Sequence, residues 1–125
     1  MKAECHAHMA LSGGDWRAAF ARHEDAVDKR SVREALNAYA QTGITFVRDG
    51  GDKFGASLAA QRLASEVGIT YISPAWPLSQ EGTYGSFIGK TYTDMVSYRR
   101  CVDEAIDAGA HFIKLMISGI LDFGT

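Results

Sequence analysis

The sequence predicts an α/β domain built from parallel β/α units, and three observations predict it. A pattern of amphipathic helix, glycine and short apolar strand recurs three times along the 125 residues. The strands in that pattern are apolar at consecutive positions rather than alternating, as in a parallel sheet with both faces covered. A short leading strand, "MKAECHA", precedes the first helix. The expected order is therefore β, α, β, α, β, α, β, and right-handed crossovers place the helices outside the sheet.

Each element has a local cause. The first helix is expected from Ser31, where Ser31 and Glu34 have capping-box spacing and Val32, Ala35, Leu36, Tyr39 and Ala40 share one stripe. It ends at Gly43, before the strand "ITFV". The second runs from near Phe54, with Ala59, Leu63 and Val67 on one face, to Gly68 and "ITYI". The third runs from near Thr93, with Met95, Tyr98, Val102, Ala105 and Ile106 aligned, to Gly109 and "FIKLMI". Glycine suits each position because a helix C-terminus favours a left-handed residue.

Two segments interrupt the rhythm, and both follow strands. Residues 9–30 read as a long polar loop with room for a helical turn, and residues 73–92 as a substrate-side loop rich in Gly, Ser and aromatics. In parallel α/β proteins such loops lie at the carboxyl edge of the sheet, where ligands bind. Within the second, "YGSFIGKT" lacks the glycine that a phosphate loop requires five residues before Gly-Lys-Thr, so that reading fails. Trp76, Tyr84, Phe87 and Tyr92 suit either an aromatic pocket or a cap on the core.

Composition narrows the function classes. With 13 basic and 15 acidic residues and net charge -2, there is no basic field for nucleic acid or anionic lipid. No apolar run approaches the roughly 18 residues of a membrane span. Cys5 and Cys101 are too few to staple a fold, which points to a reducing, cytoplasmic setting, with Cys5 as a small buried thiol. No linker or low-complexity tract divides the chain, so residues 1–125 are expected to form a single unit.

The chemistry concentrates at three places. In "ECHAHM", His6 and His8 stand at i and i+2, which on a strand puts both rings on one face with Cβ atoms roughly 6.5–7 Å apart, a separation that suits a shared metal ion. In "HFIKLMISG", Lys114 interrupts an apolar strand, where a charged amine needs a partner or must lose its proton. A neutral lysine there is open to carbamate formation with carbon dioxide. In "RDGGD", Arg48 and Asp49 suit a supporting ion pair, Gly50 and Gly51 a tight turn, and Asp52 the N-cap of the next helix. His23 and His111 are read as structural.

Taken in order, "ECHAHM", "GITFVRDGGD" and "AGAHFIKLMISG" resemble the amidohydrolase superfamily of metal-dependent hydrolases, which fold as (β/α)8 barrels. The resemblance implies that His6 and His8 are first-strand metal ligands and that Lys114 is a fourth-strand, carboxylated, bridging ligand. Glu4 stands where the family carries an aspartate two residues before the first histidine. The implied cofactor is a divalent metal, one or two ions, zinc above all. The implied activity is hydrolysis of amide-type C–N bonds in a small or cyclic substrate.

The family's remaining ligands, two later histidines and a late aspartate, have no counterpart in the chain. A complete barrel takes about 250 residues, so the chain is expected to be the first half of one. It is then inactive alone and open to self-association through exposed half-barrel edges. The alternative is a self-standing doubly wound domain that binds a ligand or partner without hydrolysis.

Overall fold

The computed structural model describes residues 1–117. The expected β/α units are present: strand β1 (Lys2–Ala7), helix α1 (Trp16–Ala21), helix α2 (Lys29–Gln41), β2 (Ile44–Asp49), helix α3 (Ala56–Leu63), β3 (Thr70–Ile72), β4 (Leu78–Gln80), β5 (Lys90–Tyr92), helix α4 (Met95–Ala108) and β6 (Leu115–Met116). Of these, α1, β4 and β5 are added to the expected alternation. All strand pairs are parallel, in two small sheets ordered β1-β2-β3 and β5-β4-β6. One backbone bond links the two sheets, His111 N–H donating to the Ser73 carbonyl at 2.8 Å, while Leu78 N–H donates to that of Lys114 at 2.9 Å within the β4–β6 pairing. The segment carrying β6 thus runs alongside the continuation of β3. The last two residues of the quoted fourth-strand motif, Ser118 and Gly119, lie outside the described residues.

Gly43, Gly68 and Gly109 all adopt the left-handed conformation expected of helix ends, with φ of 83°, 73° and 104°. The start of α2 differs from expectation. Helix α2 begins before Ser31 because the Asp28 carboxylate accepts the N–H groups of Arg30 and Ser31 at 3.1 and 3.2 Å, while Glu34 turns outward to pair with Arg30. A carboxylate makes charge-assisted bonds to those donors that a serine hydroxyl does not match. Helix α4 starts at a reciprocal cap between Asp94 and Ser97. The N-cap of α3 is Gly55 and not Asp52 as expected, but Asp52, fully buried, accepts from Phe54, Ala56 and Ser57 N–H groups and so secures the entry to the helix.

Residues 73–92 are not a plain loop. They hold β4, β5 and a short 3-10 turn at Tyr84–Phe87. Trp76 and Tyr92 pack in a core of their own with Leu78, Tyr98, Cys101 and Ala105, and Lys90 lies 3.6 Å over the Trp76 ring. Of the four aromatics in the segment, these two are core, whereas Tyr84 and Phe87 line a cavity. Residues 9–30 likewise contain α1, capped by Asp15.

The other core lies beneath β1, β2 and β3, where Val32 and Leu36 of α2 and Ala56 and Ala60 of α3 meet Val47 and Tyr71. Among the described residues only this face of the β1-β2-β3 sheet is covered. The opposite face leaves Cys5 and Arg48 exposed and Ile72 half-buried, against the expectation that consecutive apolar residues mean burial on both sides. Cys5 is therefore an exposed thiol and not a buried one. Among the described residues no helix is long and apolar enough to cross a membrane.

Candidate functional site

Strands β1 and β2 end together. Their register slips between Glu4 and Ala7, so that three steps along β1 match two along β2 from Val47 to Asp49. Such a bulge re-aims the side chains beside it. The slip falls on Cys5 and His6. His8 follows the strand end and opens a 3-10 turn, Met9–Leu11. The His6 and His8 rings stand 5.3 Å apart, centroid to centroid.

Lys114 reaches the same point from the far end of the chain. Its Nζ lies 3.3 Å from Nε2 of His6, across 108 positions of sequence. Gly50 is what makes room. A Cβ placed on Gly50 would meet His8 Cε1 at 2.3 Å, His8 Nε2 at 2.5 Å and Lys114 Nζ at 2.6 Å. His8 and Lys114 thus meet over one glycine, and Lys114 also reaches His6, at the carboxyl ends of β1 and β2. His6 and Lys114 also line a cleft of about 700 Å³ with Cys5, Arg48, Ile72 and His111 on the uncovered sheet face.

Electrostatics favour neutral forms here. Burial lowers the pKa of His8, opposed by Asp49 and reinforced by Lys114. Burial likewise holds the Lys114 amine below its ordinary value, opposed by Asp49 and reinforced by Arg48. The Nδ1 atom of His8 lies 3.2 Å from the Gly51 carbonyl oxygen. A carbonyl only accepts, so in the neutral ring the proton sits on Nδ1 and the lone pair on Nε2, which faces Gly50.

The expected Arg48–Asp49 ion pair does not form among the described residues, because neighbours on a strand face opposite ways. Arg48 lies on the cleft side, where its Nε donates to the Cys5 carbonyl at 2.9 Å. Asp49 turns into the core, 1 % exposed. There it accepts from Met9 N–H at 2.9 Å, Gly51 N–H at 2.6 Å, Ser57 Oγ at 2.8 Å and the Tyr71 hydroxyl. It therefore grips the residues on either side of the His8 contact, Met9 and Gly51. Glu4 accepts from His6 N–H at 2.9 Å, a local support for the first histidine.

Tyr71 and Ser57 escaped the sequence reading, since nothing in "ITYI" or the α3 pattern marks a residue that bonds a distant aspartate. Burial, then the Asp49 carboxylate, hold the Tyr71 hydroxyl far above its ordinary pKa. With the folded pKa raised, the stabilisation from the neutral phenol is complete below the unfolded value of about 10 and is lost as pH rises beyond it. Tyr71→Phe is expected to cost about 1–3 kcal/mol at neutral pH and to shrink the alkaline loss of stability seen in denaturant titrations. An unchanged alkaline limb would contradict this.

His23 is structural, as expected: it is buried, and its Nδ1 accepts from Asp28 N–H at 3.0 Å. His111, also read as structural, lines the cleft, and Ser73 N–H donates to its Nδ1 at 3.4 Å. Among the described residues no three His, Cys, Asp or Glu side chains cluster as a metal site. The convergence consists of two imidazoles and one amine.

Fold and site together define a parallel α/β protein with its polar convergence at the carboxyl edge of the strands. The chain is similar in fold to the crystal structure of A. niger ochratoxinase, with a TM-score of 0.72 and 20% identity over 94% of this chain. It spans 33% of that enzyme's chain, about a third of its length. No family model and no curated protein sequence matches it.

Proposed function

We propose that this chain forms the first half of an amidohydrolase-type (β/α)8 barrel and carries part of a metal-dependent site for hydrolysing amide-type C–N bonds in a small or cyclic substrate. The observation that carries the reading is the meeting of Lys114 Nζ with His6 Nε2 at 3.3 Å, over a glycine that also admits His8. The likeness in fold to a third of ochratoxinase supports it. So does the uncovered sheet face, which in a closed barrel is the interior. Without such cover the chain is expected to self-associate along that face and its free edges.

The residues fit a divalent cation. His6 and His8 would hold it, and paired imidazoles suit zinc. Once bound, one or two such ions would supply Lewis acidity, drawing the pKa of a water toward neutrality and polarising a carbonyl. The chain's own residues prepare for this. The Gly51 carbonyl fixes the His8 tautomer. Lys114, its pKa lowered by burial, presents a neutral amine more readily than an exposed lysine does. That amine attacks carbon dioxide, forming an N–C bond and releasing one proton, and the resulting carbamate adds anionic oxygen donors beside the imidazoles. That proton passes to solvent and not to Asp49, whose oxygens are occupied by four donors in the core. The reading places the protein in the reducing cytoplasm, where exposed Cys5 stays a thiol.

Equilibrium dialysis against zinc tests the reading. The chain is expected to retain zinc, with His6→Ala or His8→Ala lowering its affinity about 10- to 100-fold. With labelled bicarbonate, a carbamate carbon resonance is expected that Lys114→Ala removes. Zinc binding indifferent to both histidine changes would refute the proposal. Amide turnover by the residues described here alone is expected to be undetectable.

A further inference from the structure

His23 takes no part in the chemistry proposed above, yet it is only 3% exposed. It is the single buried residue of positions 21–30. The chain leaves α1 in a turn, with His23 N–H donating to the Phe20 carbonyl at 3.1 Å and Glu24 N–H to that of Ala21 at 3.2 Å. Five residues on, Asp28 donates its N–H to Nδ1 of the His23 ring at 3.0 Å. Among the described residues this is the only hydrogen bond joining the turn after α1 to the start of α2. Asp28 is also where α2 begins: its carboxylate takes the N–H groups of Arg30 and Ser31, and its carbonyl takes Val32 N–H at 3.2 Å and the Ser31 hydroxyl at 2.9 Å. One imidazole nitrogen thus closes the turn on the residue that starts the next helix.

The bond exists in one protonation state. A backbone N–H only donates, so Nδ1 carries its lone pair and the neutral ring has its proton on Nε2. A second proton would sit on Nδ1, set two donors face to face, and charge a ring that is out of water. Charged groups act on the ring from three elements: Asp52 at the entry to α3, Asp28 at the start of α2 and Arg22 at the end of α1. Burial lowers the His23 pKa, opposed by Asp52 and Asp28 and reinforced by Arg22. With the folded pKa depressed, the stabilisation from the neutral ring is complete above the unfolded value of about 6.5 and is lost as pH falls through the folded value. Segments with few buried contacts open locally while the core persists. The other end of this segment is tied to the carboxyl edge of the strands, where Leu11 N–H donates to the His8 carbonyl at 2.9 Å.

We propose that His23 is an acid-sensitive latch between α1 and α2: protonation of its ring releases the Asp28 N–H and opens the turn at residues 22–28, while the β1-β2-β3 core stays folded. The latch does not depend on the metal reading, since none of the charged groups acting on His23 belongs to that site.

Amide hydrogen exchange on the full chain, corrected for intrinsic rates, tests the proposal at about pH 7.5 and about pH 5, a range that spans the ordinary histidine value and lies above the ordinary carboxylate values. The Asp28 amide is expected to lose at least about 10-fold in protection at the lower pH, since opening coupled to one proton gains about 10-fold per pH unit. Amides of α3 should keep theirs. In His23→Asn, whose side-chain oxygen accepts near the place of Nδ1 and does not titrate, Asp28 protection should be alike at both pH values, which separates His23 from His6, His8 and His111. Should that variant fail to fold, the wild-type ring decides: its Cε1 resonance should titrate with a midpoint below about 6.5. Unchanged Asp28 protection, an equal loss in a folded His23→Asn, an equal loss throughout α3, or a ring midpoint at or above the ordinary value would overturn the proposal.

Discussion

Gly50→Ala is expected to lower divalent-metal affinity by at least about 10-fold, a loss comparable to removing a group that orients a ligand, while most of the fold survives. The reason is steric and local. An alanine Cβ would sit within 2.3–2.6 Å of the His8 ring and the Lys114 amine, and no Cβ contact is that short. Gly50 does not lie among the left-handed glycines, so its backbone conformation poses no separate obstacle. Its N–H, bonded to the Ala7 carbonyl at 2.7 Å, stays in place. The ring and the amine must give way, and when His8 swings aside it loses the Gly51 carbonyl that fixes its tautomer. Overpacking of this kind costs about 1–3 kcal/mol in stability. Zinc dialysis and a thermal melt on one preparation separate the two effects. Undiminished metal affinity would mean that Gly50 does not shape the site.

Asp49→Ala is expected to be the most damaging single change to stability, about 4–5 kcal/mol, because it strips four donors of one buried acceptor. Met9 N–H, Gly51 N–H, the Ser57 hydroxyl and the Tyr71 hydroxyl would all be left without their common partner. Domains of this size are stable by only about 5–15 kcal/mol, so the variant stands near unfolding at ambient temperature. Asp49→Asn should be milder, since an amide oxygen still accepts while its NH₂ faces a donor. Urea titrations of the two variants should rank wild type, Asn, Ala in falling midpoint. An alanine variant within about 1 kcal/mol of wild type would contradict the role given to Asp49. The same change should weaken zinc binding, because Met9 and Gly51 flank the His8 contact.

The elements were legible in the sequence where one local cause dominates. Gly43, Gly68 and Gly109 closed their helices because a left-handed residue after a helix is a strong and nearly context-free signal. Readings failed where two local signals compete. Asp28 and Ser31 both suit an N-cap, and the carboxylate prevailed. In residues 73–92, Gly, Ser and Pro read as loop, yet Leu78–Gln80 found partners on both sides. Consecutive apolar residues in β2 and β3 predicted cover on both faces, and these residues on their own supply cover for one.

At the candidate site, pattern singled out His6, His8 and Lys114, because two histidines one residue apart and a lysine in an apolar run are unusual enough to notice, although His8 itself lies just past the end of β1. What spacing does not carry is alternation between neighbours. Arg48 and Asp49 read as a pair, but the strand sends one to the cleft and the other to the core. Nor does sequence reveal that Gly50 lies under His8 and Lys114, since a glycine pair after a strand reads equally well as an ordinary turn.

The convergence of His6 and His8 with Lys114 is the central claim, and zinc-edge X-ray absorption on the zinc-loaded chain tests it most directly. The account predicts two imidazole nitrogens at about 2.0–2.1 Å from the metal, with one imidazole signal lost in His6→Ala and one in His8→Ala. A zinc environment without imidazole, or one that both substitutions leave unchanged, would contradict it.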